Sequence, residues 1–66
     1  MISVVLVKPQ EPGNIGAIAR AMGNFELKEL ILIEPLCNHL EEEAFSRSKH
    51  AKAILQKAKV MPYDYF

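Results

Sequence analysis

The residues best suited to chemistry lie together in Lys8-Pro9-Gln10-Glu11-Pro12-Gly13-Asn14-Ile15-Gly16-Ala17-Ile18-Ala19-Arg20-Ala21-Met22. The segment joins the carboxyl end of a strand to the start of a helix. Free backbone amides and the helix dipole favour an anion at such a junction. At about 100° per residue, Ile15, Ile18, Ala19 and Met22 form an apolar stripe, and Arg20 lies about 200° from Ile18, facing away. Around Arg20 sit Gly13, Gly16, Ala17, Gly23 and Asn24. One long cation thus stands among small residues, which admit another backbone closely, whether a ligand, an RNA chain or a second helix. A guanidinium offers a planar fork to paired phosphate oxygens. Asn14 is placed to cap the helix and orient the loop. The spacing is not that of the glycine-rich nucleotide loops: Gly13-x-x-Gly16 lacks G-x-G-x-x-G, and no Gly-Lys-Ser/Thr follows.

Other groups point to blander roles. Cys37 and His39, with His50 further on, do not make a four-ligand zinc set, so no metal is expected. Glu41-Glu42-Glu43 complements a helix amino terminus, as Lys57 and Lys59 complement its carboxyl end. Arg47, Lys49, His50 and Lys52 read as a solvated basic face, with contact to RNA phosphate the alternative. Tyr63, Tyr65 and Phe66 read as rings exposed by an incomplete fold, with base stacking the alternative.

These residues need elements to position them. Residues 2–7 are an almost unbroken apolar, β-branched run, the pattern of a strand buried on both faces. A helix is expected over 15–24 and a second buried strand over 30–33, closed by Pro35. Asn38 with Glu41 resembles a capping box, and a continuous second helix should follow to about residue 59, with an inner stripe of Ala44, Ser48, Ala51, Leu55 and Ala58. Val60-Met61 begins a third strand. The order β-α-β-α-(β) predicts an α/β fold with a parallel sheet. Right-handed crossovers, with strand three beside strand one and opposite strand two, would put the helices on opposite faces and loop 9–16 at a topological switch point.

The chain has 66 residues, half of them hydrophobic, with 8 Lys plus Arg against 8 Asp plus Glu. Zero net charge supplies no global attraction for nucleic acid, so any such binding must be local. The lone Cys37 excludes an internal disulfide. No apolar run spans a membrane, and the start of the chain lacks a charged leader, so a soluble, cytoplasmic protein is expected. Two buried strands with little cover read as a domain cut partway, with an obligate oligomer as the alternative.

Pro12-Gly13-Asn14-Ile15-Gly16-Ala17-Ile18-Ala19-Arg20-Ala21-Met22, then Asn24-Phe25 and Leu30-Ile31-Leu32-Ile33-Glu34-Pro35, resembles motif 1 of the SpoU/TrmH branch of the SPOUT methyltransferases, and most of all its TrmJ-like tRNA subgroup. The resemblance covers nearly the whole chain. It implies the amino-terminal half of an α/β-knot domain. The activity implied is 2′-O-methylation of a tRNA ribose from S-adenosylmethionine, in a homodimer whose active sites draw on both protomers. Carried over by position, Asn14 and Arg20 match the motif's asparagine and its arginine held at the reacting ribose and phosphate, and Gly13 and Gly16 join Arg20 as the phosphate-contacting set. The later motifs that form the knot and hold the methyl donor have no counterpart here, so cofactor-binding residues are not expected in this chain. Glu26 departs from the family, which commonly has Gly after Asn-Phe.

Methyl transfer from a sulfonium is an in-line displacement that depends on alignment of the attacking hydroxyl. A permanently charged arginine suits a phosphate clamp that also stabilises a developing alkoxide better than it suits a general base. A non-catalytic phosphate- or RNA-binding module, or a dimerisation unit using the small-residue face, are the competing functions.

Overall fold

The computed structural model describes residues 2–65, with the backbone alone at Tyr65. The readings made above for Met1, the Tyr65 ring and Phe66 lie outside the described residues. The chain forms β1 (Ser3–Val7), α1 (Pro12–Asn24), β2 (Glu29–Ile33), α2 (Glu42–Ser48), a 3-10 turn (Lys49–Ala51), α3 (Lys52–Gln56), β3 (Lys59–Met61) and a last 3-10 turn (Tyr63–Tyr65). The sheet is parallel throughout, as the alternation of elements predicts. Val4 faces Leu30, Leu6 faces Leu32, and Leu32 faces Val60.

The strand order corrects the expected topology. It is β1-β2-β3, so strand three lies beside strand two. Two successive right-handed crossovers moving the same way put both helices on one face. The core is accordingly single: Ile15, Ala19 and Met22 of α1 meet Leu30 and Leu32 of β2 and Ala44, Ala51, Ile54 and Leu55 from the second helical segment. Full burial of each large aliphatic side chain contributes about 1.5–3 kcal/mol. The described strands show no reversal of order, and therefore no switch-point crevice.

β2 is buried from Leu30 to Ile33, but β1 is an edge strand whose Ser3, Val5 and Val7 are exposed. The expectation that both strands are doubly buried therefore holds for β2 and fails for β1. Val5 and Val7 lie on the sheet face away from the helices, beside Ile31 and Ile33.

Three helix boundaries also differ from expectation. α1 starts two residues before Asn14's expected cap position, because Pro12 occupies the first helical position, where its missing N–H and fixed φ cost nothing. Glu11 is then the N-cap, without a side-chain bond, and Asn14 is the third helical residue. Asn38 does not cap α2: its Oδ1 accepts from the Leu40 N–H at 2.9 Å in a local turn, and Glu41 is the N-cap. The expected continuous second helix breaks at Lys49, which takes φ 56° and ψ −121°. The inner stripe survives the break. Ala44, Ser48, Ala51 and Leu55 are all buried, Ala58 is partly so, and the Ser48 hydroxyl donates to the Phe45 carbonyl at 2.9 Å. Lys59 is not a helix-end cation; it belongs to β3 and pairs with Glu29 at 3.0 Å.

Candidate nucleic-acid interface

α1 and α2 approach until backbone meets backbone. A Cβ built on Gly16 would stand 2.1 Å from the Ala44 carbonyl oxygen, and one on Gly13 would stand 2.8 Å from the Glu43 carboxylate. Both glycines are buried. The small-residue face of α1 thus receives a second helix of the same chain. Gly13 and Gly16, expected among the phosphate-contacting residues, are instead covered by α2.

This close packing sets the position of Arg20. Arg20 is exposed, as its helical phase predicts, and its side chain lies between α1 and the second helical segment. There a groove of about 510 Å³ opens. α1 lines it with Ala17, Arg20, Ala21 and Asn24, and the facing segment with Ser46, Arg47 and Lys49. Three cations and no carboxylate face the space. Among the described residues, none of the three pairs with an acidic side chain. The basic character of residues 47–52 is plain in the sequence. Its delivery to Arg20 is not, because it depends on the strand order and on the break at Lys49.

Asn14 lies elsewhere. It is exposed on another flank of α1, in a groove of about 320 Å³ with Gln10, Glu11, Ile15 and Ile18 beside β1. The structure does not bring Asn14 and Arg20 together. The loop carrying Asn14 is tied to the loop after β2, since Leu36 N–H donates to the Pro9 carbonyl at 2.8 Å and the Cys37 thiol faces the same oxygen at 3.7 Å. Burial pushes the Cys37 thiol up, with Glu41 and Glu11 adding to the effect, which disfavours the nucleophilic thiolate.

At the carboxyl ends of β1 and β2, Lys8 and Glu34 both take positive φ, 51° and 45°. Lys8 N–H donates to the Ile33 carbonyl and Glu34 N–H to that of Met61. Tyr63 joins them: its N–H donates to Glu34 Oε2 at 3.3 Å, and the Lys8 ammonium sits 5.4 Å from its ring centre. Tyr63 is therefore engaged, though 55% exposed. At the opposite, amino end of the sheet, a groove of about 440 Å³ is lined by Ile2, Glu26, Leu27, Lys28, Glu29 and Lys57 and contains no expected site residue.

The parallel α/β fold is similar to that of solved methylase structures. A probable methylase family protein from Haemophilus influenzae superposes with a TM-score of 0.84 at 33% identity, over 91% of this chain and 24% of that one. The structure of TrmJ from Z. mobilis gives 0.85 at 38% identity, over 92% and 27%. Residues 1–66 match the SpoU rRNA Methylase family, and the chain belongs to that family. Among its relatives, the tRNA (cytidine-2′-O-)-methyltransferase TrmJ of Methanocaldococcus jannaschii is 44% identical over 59 residues, which are 89% of this chain and 25% of that protein. The tRNA (cytidine/uridine/adenosine-2′-O-)-methyltransferase TrmJ of Pseudomonas aeruginosa is 43% identical over 60 residues, 91% and 23%. The chain spans about a quarter of the length of these relatives.

Proposed function

We propose that this chain is the amino-terminal part of a tRNA 2′-O-ribose methyltransferase that uses S-adenosylmethionine, acts in the cytoplasm and works as a homodimer. The observation that carries the reading is Arg20: the motif arginine stands exposed, free of acidic partners among the described residues, at a groove open to solvent. Family membership supports the methyl-transfer chemistry, and the TrmJ relatives support the ribose of a tRNA as its target.

The methyl donor is a sulfonium cation bearing an adenine ring. The Arg20 groove offers it three like charges and no aromatic surface. These residues do not fit the donor, which is assigned to the carboxyl-terminal part. They fit a phosphodiester. Arg20 holds the phosphate next to the reacting ribose, fixes the orientation of its hydroxyl, and stabilises negative charge growing on that oxygen. Gly13 and Gly16 serve the site by seating α2 against α1. Asn14 orients loop 9–16 from the other flank.

The test is single-turnover methylation of tRNA by the full-length protein. Arg20→Ala should lower the rate by about a hundredfold or more, the scale of losing one preorganised donor. As an exposed position, it should change stability by no more than about 0.5 kcal/mol. Arg20→Lys should recover little, because a point charge lacks the fork. Full activity in a stable Arg20→Ala protein would sink the assignment.

A further inference from the structure

Arg47 and Lys49 are left unused by the reaction as described, yet the fold brings them to the catalytic candidate. They come from the end of α2 and the turn after it, and they share one groove with Arg20. Two features separate this cluster from an ordinary solvated face. Its lining contains no acidic side chain, and its cations have no acidic partner among the described residues, although the chain as a whole is neutral. Lys49 also adopts a backbone conformation, φ 56° and ψ −121°, that disfavours every residue with a Cβ. Non-glycine residues held there concentrate at functional sites. A glycine would relax the backbone, but it would remove the ammonium from the groove.

We propose that Arg47 and Lys49 form a phosphate-tracking rail that holds the RNA backbone next to the nucleotide engaged by Arg20. The inference rests on the methyltransferase reading and extends it to substrate positioning. The rail lies across the groove from Arg20, and Ser46 and Asn24 line the same groove as neutral hydrogen-bonding groups. The ligand chemistry is a run of phosphodiesters, read without regard to base. Arg47 and Lys49 are positioning residues, and their effect belongs to RNA affinity and its salt dependence rather than to the saturated rate.

The experiment uses the full-length protein and a set of unmodified tRNA transcripts. Binding is measured across a series of salt concentrations, and single-turnover rates at saturating RNA. The double variant Arg47→Gln/Lys49→Gly should weaken RNA binding by about tenfold at moderate salt and flatten the log–log salt slope by about 1.4, the share of two single-strand phosphate contacts. The saturated rate should stay within about twofold. Arg47→Lys should retain most of the salt slope. Should the double variant melt early, Arg47→Gln alone, at an exposed position, carries the test with half the slope change. If the wild type methylates a transcript but the variants keep its affinity and slope, the rail is overturned and the function stands. A saturated rate that falls as far as in Arg20→Ala, with affinity unchanged, also overturns it. A wild-type protein that neither binds nor methylates any transcript overturns the function as well.

Discussion

At the scale of single residues, the backbone of Glu26 resolves a departure visible in the sequence. Glu26 has φ 60° at the position after the C-cap Phe25. Its N–H donates to the Gly23 carbonyl at 3.2 Å, and the Leu27 N–H donates to that of Met22 at 2.8 Å. These two bonds are a Schellman ending, whose left-handed residue is usually Gly. Here Gly23 comes earlier and Glu26 takes the strained place itself. Glu26→Gly should therefore stabilise the protein by about 0.5–1 kcal/mol, the left-handed penalty less the extra entropy of glycine, read as a rise of several degrees in Tm. An unchanged or lower Tm would show that the Glu26 side chain supports the turn. A second residue-scale prediction concerns Glu29, which receives the Ser3 hydroxyl on one oxygen and the Lys59 ammonium on the other, tying β1 and β3 to β2. The Ser3 hydrogen bond first, and then the bond and charge of Lys59, hold its carboxyl below the usual carboxylate range. A depressed folded-state pKa means that the tie is fully present above the ordinary glutamate value of about 4.3 and is lost as pH falls through the folded value. The Glu29 carboxyl should titrate below the ordinary glutamate value by NMR, and Ser3→Ala should bring it back upward.

At the scale of elements, the packing of α1 on α2 decides both the core and the site. Gly16→Ala would normally favour a helix by about 1 kcal/mol. Here the added methyl meets the Ala44 carbonyl at 2.1 Å, so the helices must separate. The expected result is a net loss of about 1–3 kcal/mol, together with weaker RNA binding by the full-length protein as the Arg20 groove changes shape. Gly23→Ala, whose Cβ would stand 3.2 Å from that of Ala51, should cost much less. Equal melts for the two variants would contradict the close approach. This interface also explains what the sequence revealed and what it hid. The core stripes of α1 and of residues 44–58, the three strands and the outward phase of Arg20 follow from hydrophobic period and helical geometry, both local properties. The strand order does not, because a right-handed crossover permits β3 on either edge. A usable signal was present: Gly13 and Gly16 on α1 and Ala44, Ser48 and Ala51 on the second segment are complementary stripes of small residues. Two such stripes fit helices packed on each other and hence on one face. The break at Lys49 had no such signal, since a lysine in left-handed backbone contradicts its own local preference. Arg47 and Lys49 therefore read as solvated until the fold set them beside Arg20.

At the scale of the molecule, the helices cover one face of the sheet, and Val5 and Val7 stay exposed on the other at 37% and 49%. Among the described residues, no helix is long and apolar enough to cross a membrane. The three grooves divide by chemistry. The groove at the α1–α2 divide is cationic, the one at the amino end of the sheet is ringed by Glu26, Lys28, Glu29 and Lys57, and the one beside β1 carries Gln10, Glu11 and Asn14. None of them has an aromatic face for adenine. The Arg20 groove repels a sulfonium. S-adenosylmethionine titrated calorimetrically into the 66-residue chain should therefore give no binding heat, even where circular dichroism shows the helices formed. The full-length protein should bind the donor, and, on the proposed role of Arg20 as a phosphate clamp, Arg20→Ala should leave that affinity almost unchanged. Micromolar donor binding by the folded 66-residue chain would place the methyl donor among these residues. It would also turn the three-cation groove from a phosphate site into a feature in need of another explanation.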